Sequence, residues 1–224
     1  MASVPPARVF LLSPAHAGGA RAQLLLNPGA PFALARQFHA EGLPLATVFA
    51  FTSGLYFRGK ITYADRFAVP QRGDVVRVIT SNAGLLDPTV VIGPRELAAF
   101  GTTEIDAADP RYHRPLRQHA RALLRRLGPQ TPVVLLGSIA TPKYRDVLLD
   151  VFGAQLLFPR DFVGRGDMSR GALLLRAAQA GNELVYDAVQ GAILTGKRAS
   201  GDVTPASRRA TASSGSRADP APPR

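Results

Sequence analysis

The chain has 224 residues, 46 % of them hydrophobic, which is enough to bury the core of one domain or at most two small ones. Lys and Arg outnumber Asp and Glu 27 to 16, a formal net charge of +11 that favours polyanionic partners such as nucleic acid, nucleotides or an acidic membrane surface. There is no cysteine, which excludes disulfides, thiolate nucleophiles and Cys-based zinc or iron–sulfur sites.

The first residues show no apolar run behind a basic patch, so no secretory signal is expected, and every apolar stretch is too short to span a bilayer. The expectation is a soluble, cytoplasmic chain without a membrane partner. In chain order, residues 9–12 form a nearly continuous apolar run, as a strand covered on both faces does. The turn that follows, 13–21, reads Ser-Pro-Ala-His-Ala-Gly-Gly-Ala-Arg. A helix over 31–41 brings Phe32, Ala35 and Phe38 to one side, and 45–67 reads as two helices broken around Ser53 and Gly54. A second strand is expected at 75–79, leading into the turn 80–88.

The helix over 109–127 carries the clearest signals. Asp109 caps it, Pro110 takes the first helical position, where a missing N–H costs nothing, and Tyr112, Leu116, Ala120, Leu123 and Leu127 recur at helical spacing. A third strand at 133–136 leads to the turn 137–144, and Thr141–Pro142 opens a helix that turns Tyr144, Val147, Leu148 and Val151 inward. A fourth strand at 156–158 leads to the Gly-rich loop 160–170, a helix over 169–180 and a late edge strand over 183–189. From about Gly196 the apolar pattern ends, and Ala, Ser, Thr, Arg, Pro and Gly cannot bury enough surface to offset the entropy of ordering. The expected organisation is a single α/β domain over 1–195 and a disordered basic tail over 196–224. That tail holds a net +4, so +7 belongs to the body. Strands alternating with helices predict a three-layer sandwich with a mainly parallel sheet.

In such a sheet ligands lie beyond the carboxyl ends of the strands, where loops enter helices. Small residues let backbone N–H groups approach a ligand, and a helix N-terminus favours an anion. Four turns of this kind on one edge would make a shared phosphate or carboxylate site. The candidate ligands are Ser13 and His16 in the first turn, Ser81 and Asn82 in the second, and Ser138, Lys143 and Tyr144 in the third. The fourth adds Arg165, Ser169 and Arg170. Neither G-x-G-x-x-G nor a Walker motif is present. Around the bend at Gly54, Tyr56 with Arg58 and Lys60 could stack a base while holding phosphate; the other reading has Tyr56 in the core and both cations in solvent. Asp167, between two arginines, is either part of a structural ion pair or a general base, with Asp87 as a second candidate carboxylate. The four histidines show no metal-ligand spacing, and no cofactor motif appears, so neither metal nor cofactor is expected. On the helix from Asp109, the residues Arg111, Arg114, Arg117, Arg121 and Arg125 share one face with no acid among them. Their repulsion is about a few tenths of a kcal/mol per i,i+4 pair. A polyanion or plain solvent would relieve it.

Taken in order, four of these segments resemble the YaaA family of peroxide stress proteins. Ser13-Pro14-Ala15 matches that family's Ser-Pro-Ala turn, and residues 79–88 loosely match its Leu-Ser-x-x-Tyr-Gly-x-Leu-x-Pro segment. Residues 138–144 are similar to its Ala-Ser-x-x-Tyr turn, and Arg165, Gly166, Met168, Ser169 and Arg170 reproduce its Arg-Gly-x-Met-Ser-Arg turn. His16 stands where the family has lysine, and Ile92-Gly93-Pro94-Arg95 replaces a Pro-Tyr-Arg stretch. The family's helix-hairpin-helix-like element has no counterpart here. The resemblance implies a cytosolic DNA-binding protein that limits oxidative damage, or a relative that modifies deazaguanine bases in DNA. On this reading Arg58, Lys60, Arg165 and Arg170 neutralise phosphate, while Ser13, Asn82, Ser138 and Ser169 orient base or sugar. Two other readings stay open: an enzyme acting on a nucleobase or nucleoside, with Asp167 or Asp87 as base, and a protein-interaction scaffold using the arginine face.

Overall fold

The computed structural model describes residues 8–68 and 76–192. Val9–Leu12 forms β1, every residue of it buried. It is followed by α1 (Ala20–Leu26), α2 (Ala33–Glu41), a two-residue β2 (Leu43–Pro44), α3 (Leu45–Ser53) and α4 (Leu55–Phe67). Then come β3 (Val76–Ile79), β4 (Leu85–Leu86), β5 (Val91–Ile92), α5 (Pro94–Thr102) and α6 (Pro110–Leu124). The chain continues through β6 (Val133–Leu136), α7 (Pro142–Phe152), β7 (Leu156–Pro159), α8 (Asp167–Ala180) and β8 (Tyr186–Ala188).

Six strands make one sheet in the order β4-β3-β1-β6-β7-β8. The inner four, β3, β1, β6 and β7, run parallel, and β4 and β8 close the edges antiparallel. The small strands β2 and β5 pair separately. Every residue of β1 and β6 is buried, which is why both read as unbroken apolar runs: helices cover both faces. On one face Phe10 meets Tyr63 of α4 edge to face, with centroids 5.9 Å apart. The fold is thus the three-layer α/β sandwich that the alternation predicts, and one hydrophobic cluster runs through the described residues.

From β1 the chain steps to β3 on one side and then returns across β1 to β6 on the other. The loops leaving β1 and β6 therefore part from each other at their carboxyl ends, which opens a crevice there. Helices α4 and α8 approach closely because each offers a glycine. A Cβ on Gly59 would stand 2.6 Å from the Gly171 carbonyl oxygen, and one on Gly171 would stand 2.8 Å from Leu55 O and Tyr56 Cα.

The break predicted at Ser53–Gly54 is present, with Gly54 at φ +59° between α3 and α4. Asp109 caps α6 as its position implies, its carboxylate accepting the Arg111 amide at 2.8 Å. Three features differ from the sequence reading. Residues 20–26, of which the sequence reading covers only 20 and 21, as the end of a turn, form α1, and 94–102 form α5, which no pattern singled out. The last strand occupies only Tyr186–Ala188. The tail expected to be disordered, 196–224, lies outside the described residues. Among those that are described, no helix is long and apolar enough to cross a membrane.

Candidate functional site

At the carboxyl ends of β1, β3 and β6 a cavity of about 860 Å³ opens, lined by residues from the first three turns. His16, Ser81, Phe100, Glu104, Asp106 and Lys143 stand on its walls. Phe100 packs edge to face on Phe49 at 6.0 Å, which makes one wall aromatic. Another wall is the start of α7, where Thr141, Pro142 and Lys143 border the cavity. Thr141 makes no side-chain cap and the first turn of α7 holds no acid, so the partial positive charge of that helix end is not offset by its own residues.

The second turn is held in place by its own polar groups. Ser81 Oγ donates to Phe100 O at 2.7 Å and Asn82 Nδ2 donates to Ala99 O at 3.0 Å, which ties β3 to α5. Both side chains thus shape the cavity, and Asn82 does not line it. Gly84 turns this loop at φ +67°, where a Cβ would meet Pro115 O at 2.5 Å.

The fourth turn does not reach the cavity. It meets the other turns deeper in, around Ser13. Lys60 of α4 is 1 % exposed, and its Nζ lies 2.6 Å from Ser13 O and 2.9 Å from Ser13 Oγ. The same Nζ sits over the Tyr56 ring at 4.4 Å and the Phe57 ring at 4.9 Å. Burial lowers the Lys60 amine to about 7, with Asp167 opposing the change and Arg170 adding to it. Tyr144 completes the group from the third turn: its hydroxyl accepts the Ser138 amide at 3.0 Å and hydrogen-bonds Ser13. Burial raises the Tyr144 phenol, and these two hydrogen bonds counter it. Gly137 makes the contact feasible, since a Cβ there would stand 2.8 Å from Ser13 Cβ and 3.1 Å from the Tyr144 hydroxyl.

Arg170, 8 % exposed, closes the group from α8. Its Nε and Nη2 donate to Phe162 O at 3.2 Å, and Nη1 donates to Asp167 Oδ1 at 3.2 Å. The Tyr56 hydroxyl is buried without a hydrogen bond of normal geometry, although the Arg170 guanidinium lies alongside it. Burial pushes the Tyr56 phenol well above its ordinary range. Arg165 Nη1 donates to Ser169 Oγ at 3.2 Å within the loop, and neither residue enters the buried group through these contacts.

Two expectations need correction. Tyr56, Arg58 and Lys60 do not gather at a bend, because they lie on a continuous helix, α4. Residues four apart share a helix face and residues two apart do not, so Tyr56 and Lys60 point inward together while Arg58 is exposed on the far side. Asp87 does not lie at the carboxyl edge. β4 runs back along β3, and this carries Asp87 to Arg77, with which it pairs at 2.8 Å. Burial raises Asp87, but Thr89's hydroxyl and amide and the Arg77 guanidinium outweigh this and hold the carboxyl below its usual range. Its carboxylate is held within the turn by Thr89 and by Arg77. Asp167 pairs with Arg170 and is 69 % exposed, which matches the ion-pair alternative.

The residues missed by sequence reasoning are those of the segment joining α5 to α6, where Thr103, Glu104, Ile105, Asp106 and Ala107 wall the cavity. Their only local signal is a pair of acids in a basic chain. Among the described residues no group of three or more His, Asp or Glu is placed to hold a metal ion. Comparison with family models, with curated proteins and with solved structures finds no match for this chain.

Proposed function

We propose that the chain binds a nucleotide, free or as part of a nucleic acid, at the carboxyl edge of its sheet. The observation that carries this reading is the cavity at the point where the loops of β1 and β6 diverge. Its volume of about 860 Å³ lies within the range of small-ligand pockets. Phe49, Phe100 and Ile105 offer an apolar wall for a base, and Lys143 with the amides of α7 offers a phosphate site. Glu104 and Asp106 are acceptors suited to sugar hydroxyls. The resemblance to the YaaA family implies the same class of ligand.

The arginine face of α6 supports the polymeric form of that ligand. Arg111 is drawn to its own cap, Asp109, and Arg117 pairs with Asp150 at 3.0 Å. Among the described residues Arg114, Arg121 and Arg125 form no ion pair, and they border a shallow groove of about 400 Å³. Cations spaced along one helix face are suited to successive phosphates.

Titration with nucleoside monophosphates and diphosphates tests the cleft. Lys143→Glu should weaken binding by about tenfold or more, equal to about 1.4 kcal/mol. For short DNA, Arg114→Ala with Arg121→Ala should lower affinity and flatten the dependence of log affinity on log salt by about 0.9 for each phosphate no longer neutralised. A wild-type protein that binds no nucleotide and no DNA would remove this reading.

A further inference from the structure

We propose that Ser13 is a nucleophile and Lys60 its base, in a site that cleaves phosphate esters through a covalent phosphoryl–Ser13 intermediate. This goes beyond ligand binding in the cleft and rests on a different set of atoms.

The Ser138 amide donates to the Tyr144 hydroxyl, which is also hydrogen-bonded with Ser13. Ser13 Oγ lies 2.9 Å from Lys60 Nζ, close enough for the serine proton to pass across. A neutral amine receives it through the nitrogen lone pair while still donating to Ser13 O at 2.6 Å. The amine is neutral for much of the population near pH 7, because burial lowers it to about that value. Among the described residues no carboxylate forms an ion pair with Lys60, and the pull of Asp167 toward the charged form does not outweigh burial. Lysines desolvated in this way serve as general bases.

The surroundings favour phosphorus over carbon as the electrophile. The residue after Ser13 is Pro14, which has no N–H to donate to the oxyanion of an acyl intermediate. The groups on hand are instead the Arg170 guanidinium and the Tyr56 hydroxyl, which lacks a normal hydrogen-bond partner. Positive charge and hydroxyl donors stabilise the charged equatorial oxygens of a phosphoryl transition state. Pro14 and Ala15, which follow Ser13 in the chain, and Lys143, which precedes Tyr144, line the cleft.

In the first step Ser13 Oγ bonds to phosphorus as the bond to the alcohol leaving group breaks. The serine proton passes to Lys60, and the resulting ammonium protonates the departing alkoxide. In the second step water attacks the phosphoserine, giving its proton to Lys60, which returns it to Ser13 Oγ as the phosphate leaves. No metal or redox partner enters the balance.

A fluorophosphonate probe tests the pair directly, because its reaction forms the same Ser–O–P bond with fluoride as leaving group. Intact-mass and peptide analysis should find one adduct, on Ser13, at a rate that rises with pH and levels off above about 7. Ser13→Ala should give no adduct. Lys60→Met should slow labelling by about 100-fold or more while unfolding at no lower temperature at neutral pH. Absence of an adduct on Ser13 across the pH range would overturn the proposal, and so would a rate that is the same with and without Lys60. Neither outcome bears on nucleotide affinity in the cleft, which the Lys143→Glu titration reads separately.

Discussion

Lys60→Met should abolish a rise in stability that the wild-type protein shows as pH climbs from about 7 toward 10.5. Folding takes an amine that ordinarily titrates at 10.5 into a place where burial lowers it to about 7. Below pH 7 the amine is charged in both states, and the full cost of burying that charge falls on the fold. Between the two values the unfolded chain holds a proton that the folded chain has released, so raising the pH favours folding. At about 1.36 kcal/mol per pH unit the whole effect is on the order of 4 kcal/mol, of which roughly 2 kcal/mol falls between pH 7 and 9.

Methionine at this position brings no charge, and its stability curve lacks that contribution. It also leaves the Ser13 carbonyl and hydroxyl without their donor, which costs about 1–3 kcal/mol at every pH. Denaturant unfolding of both proteins across this range checks the expectation, because groups that titrate alike in the two cancel in the difference. A difference independent of pH would mean that Lys60 stays charged in the fold, and the base assigned to Ser13 would go with it.

Gly171→Val should cost about 3 kcal/mol or more, enough to lower the unfolding temperature by roughly 6–12 °C in a chain of this size. The added Cβ alone would stand 2.8 Å from backbone atoms of Leu55 and Tyr56, and no rotamer change moves a backbone. Helix α8 must then back away from α4, carrying Arg170 from Tyr56 and opening the ring contacts that enclose Lys60. Gly59→Val should act the same way, since its Cβ would reach the Gly171 carbonyl at 2.6 Å. Gly166→Ala is the reference, because a Cβ there meets nothing within 4 Å. Its cost should stay within about 1 kcal/mol, the loss expected on placing Ala at a helix N-cap. Equal unfolding temperatures for Gly166→Ala and Gly171→Val would contradict the close contact of α4 and α8.

Apart from α1, α5 and the two-residue strands, the elements were legible because their signals are local. Apolar runs at 9–12 and 133–136 can only be strands covered on both faces or short buried helices, and their four-residue length decides for strands. Pro110 and Pro142 mark helix starts through the geometry of one residue, and Gly54 marks a break through its positive φ. The alternation of such segments is enough to predict a mainly parallel sheet.

Which turns share a site is decided at longer range. β1 lies between β3 and β6, so their three turns border one cavity, while β7 stands one strand further out and its turn reaches Ser13 only through α8. Strand order arises from contacts between segments far apart in the chain, and each segment's own pattern fits several orders. The inward turn of Lys60 rather than Arg58 is of the same kind. Both lie on one helix, and the rotation of that helix is set by the glycine contact with α8, more than a hundred residues away. Composition determined that the chain has a core and carries excess positive charge, and local pattern that it alternates strand with helix. Only the packing of α4 against β1 and α8 brought an amine, a serine hydroxyl and two phenols together, because each is an ordinary side chain until distant backbone fixes its neighbours.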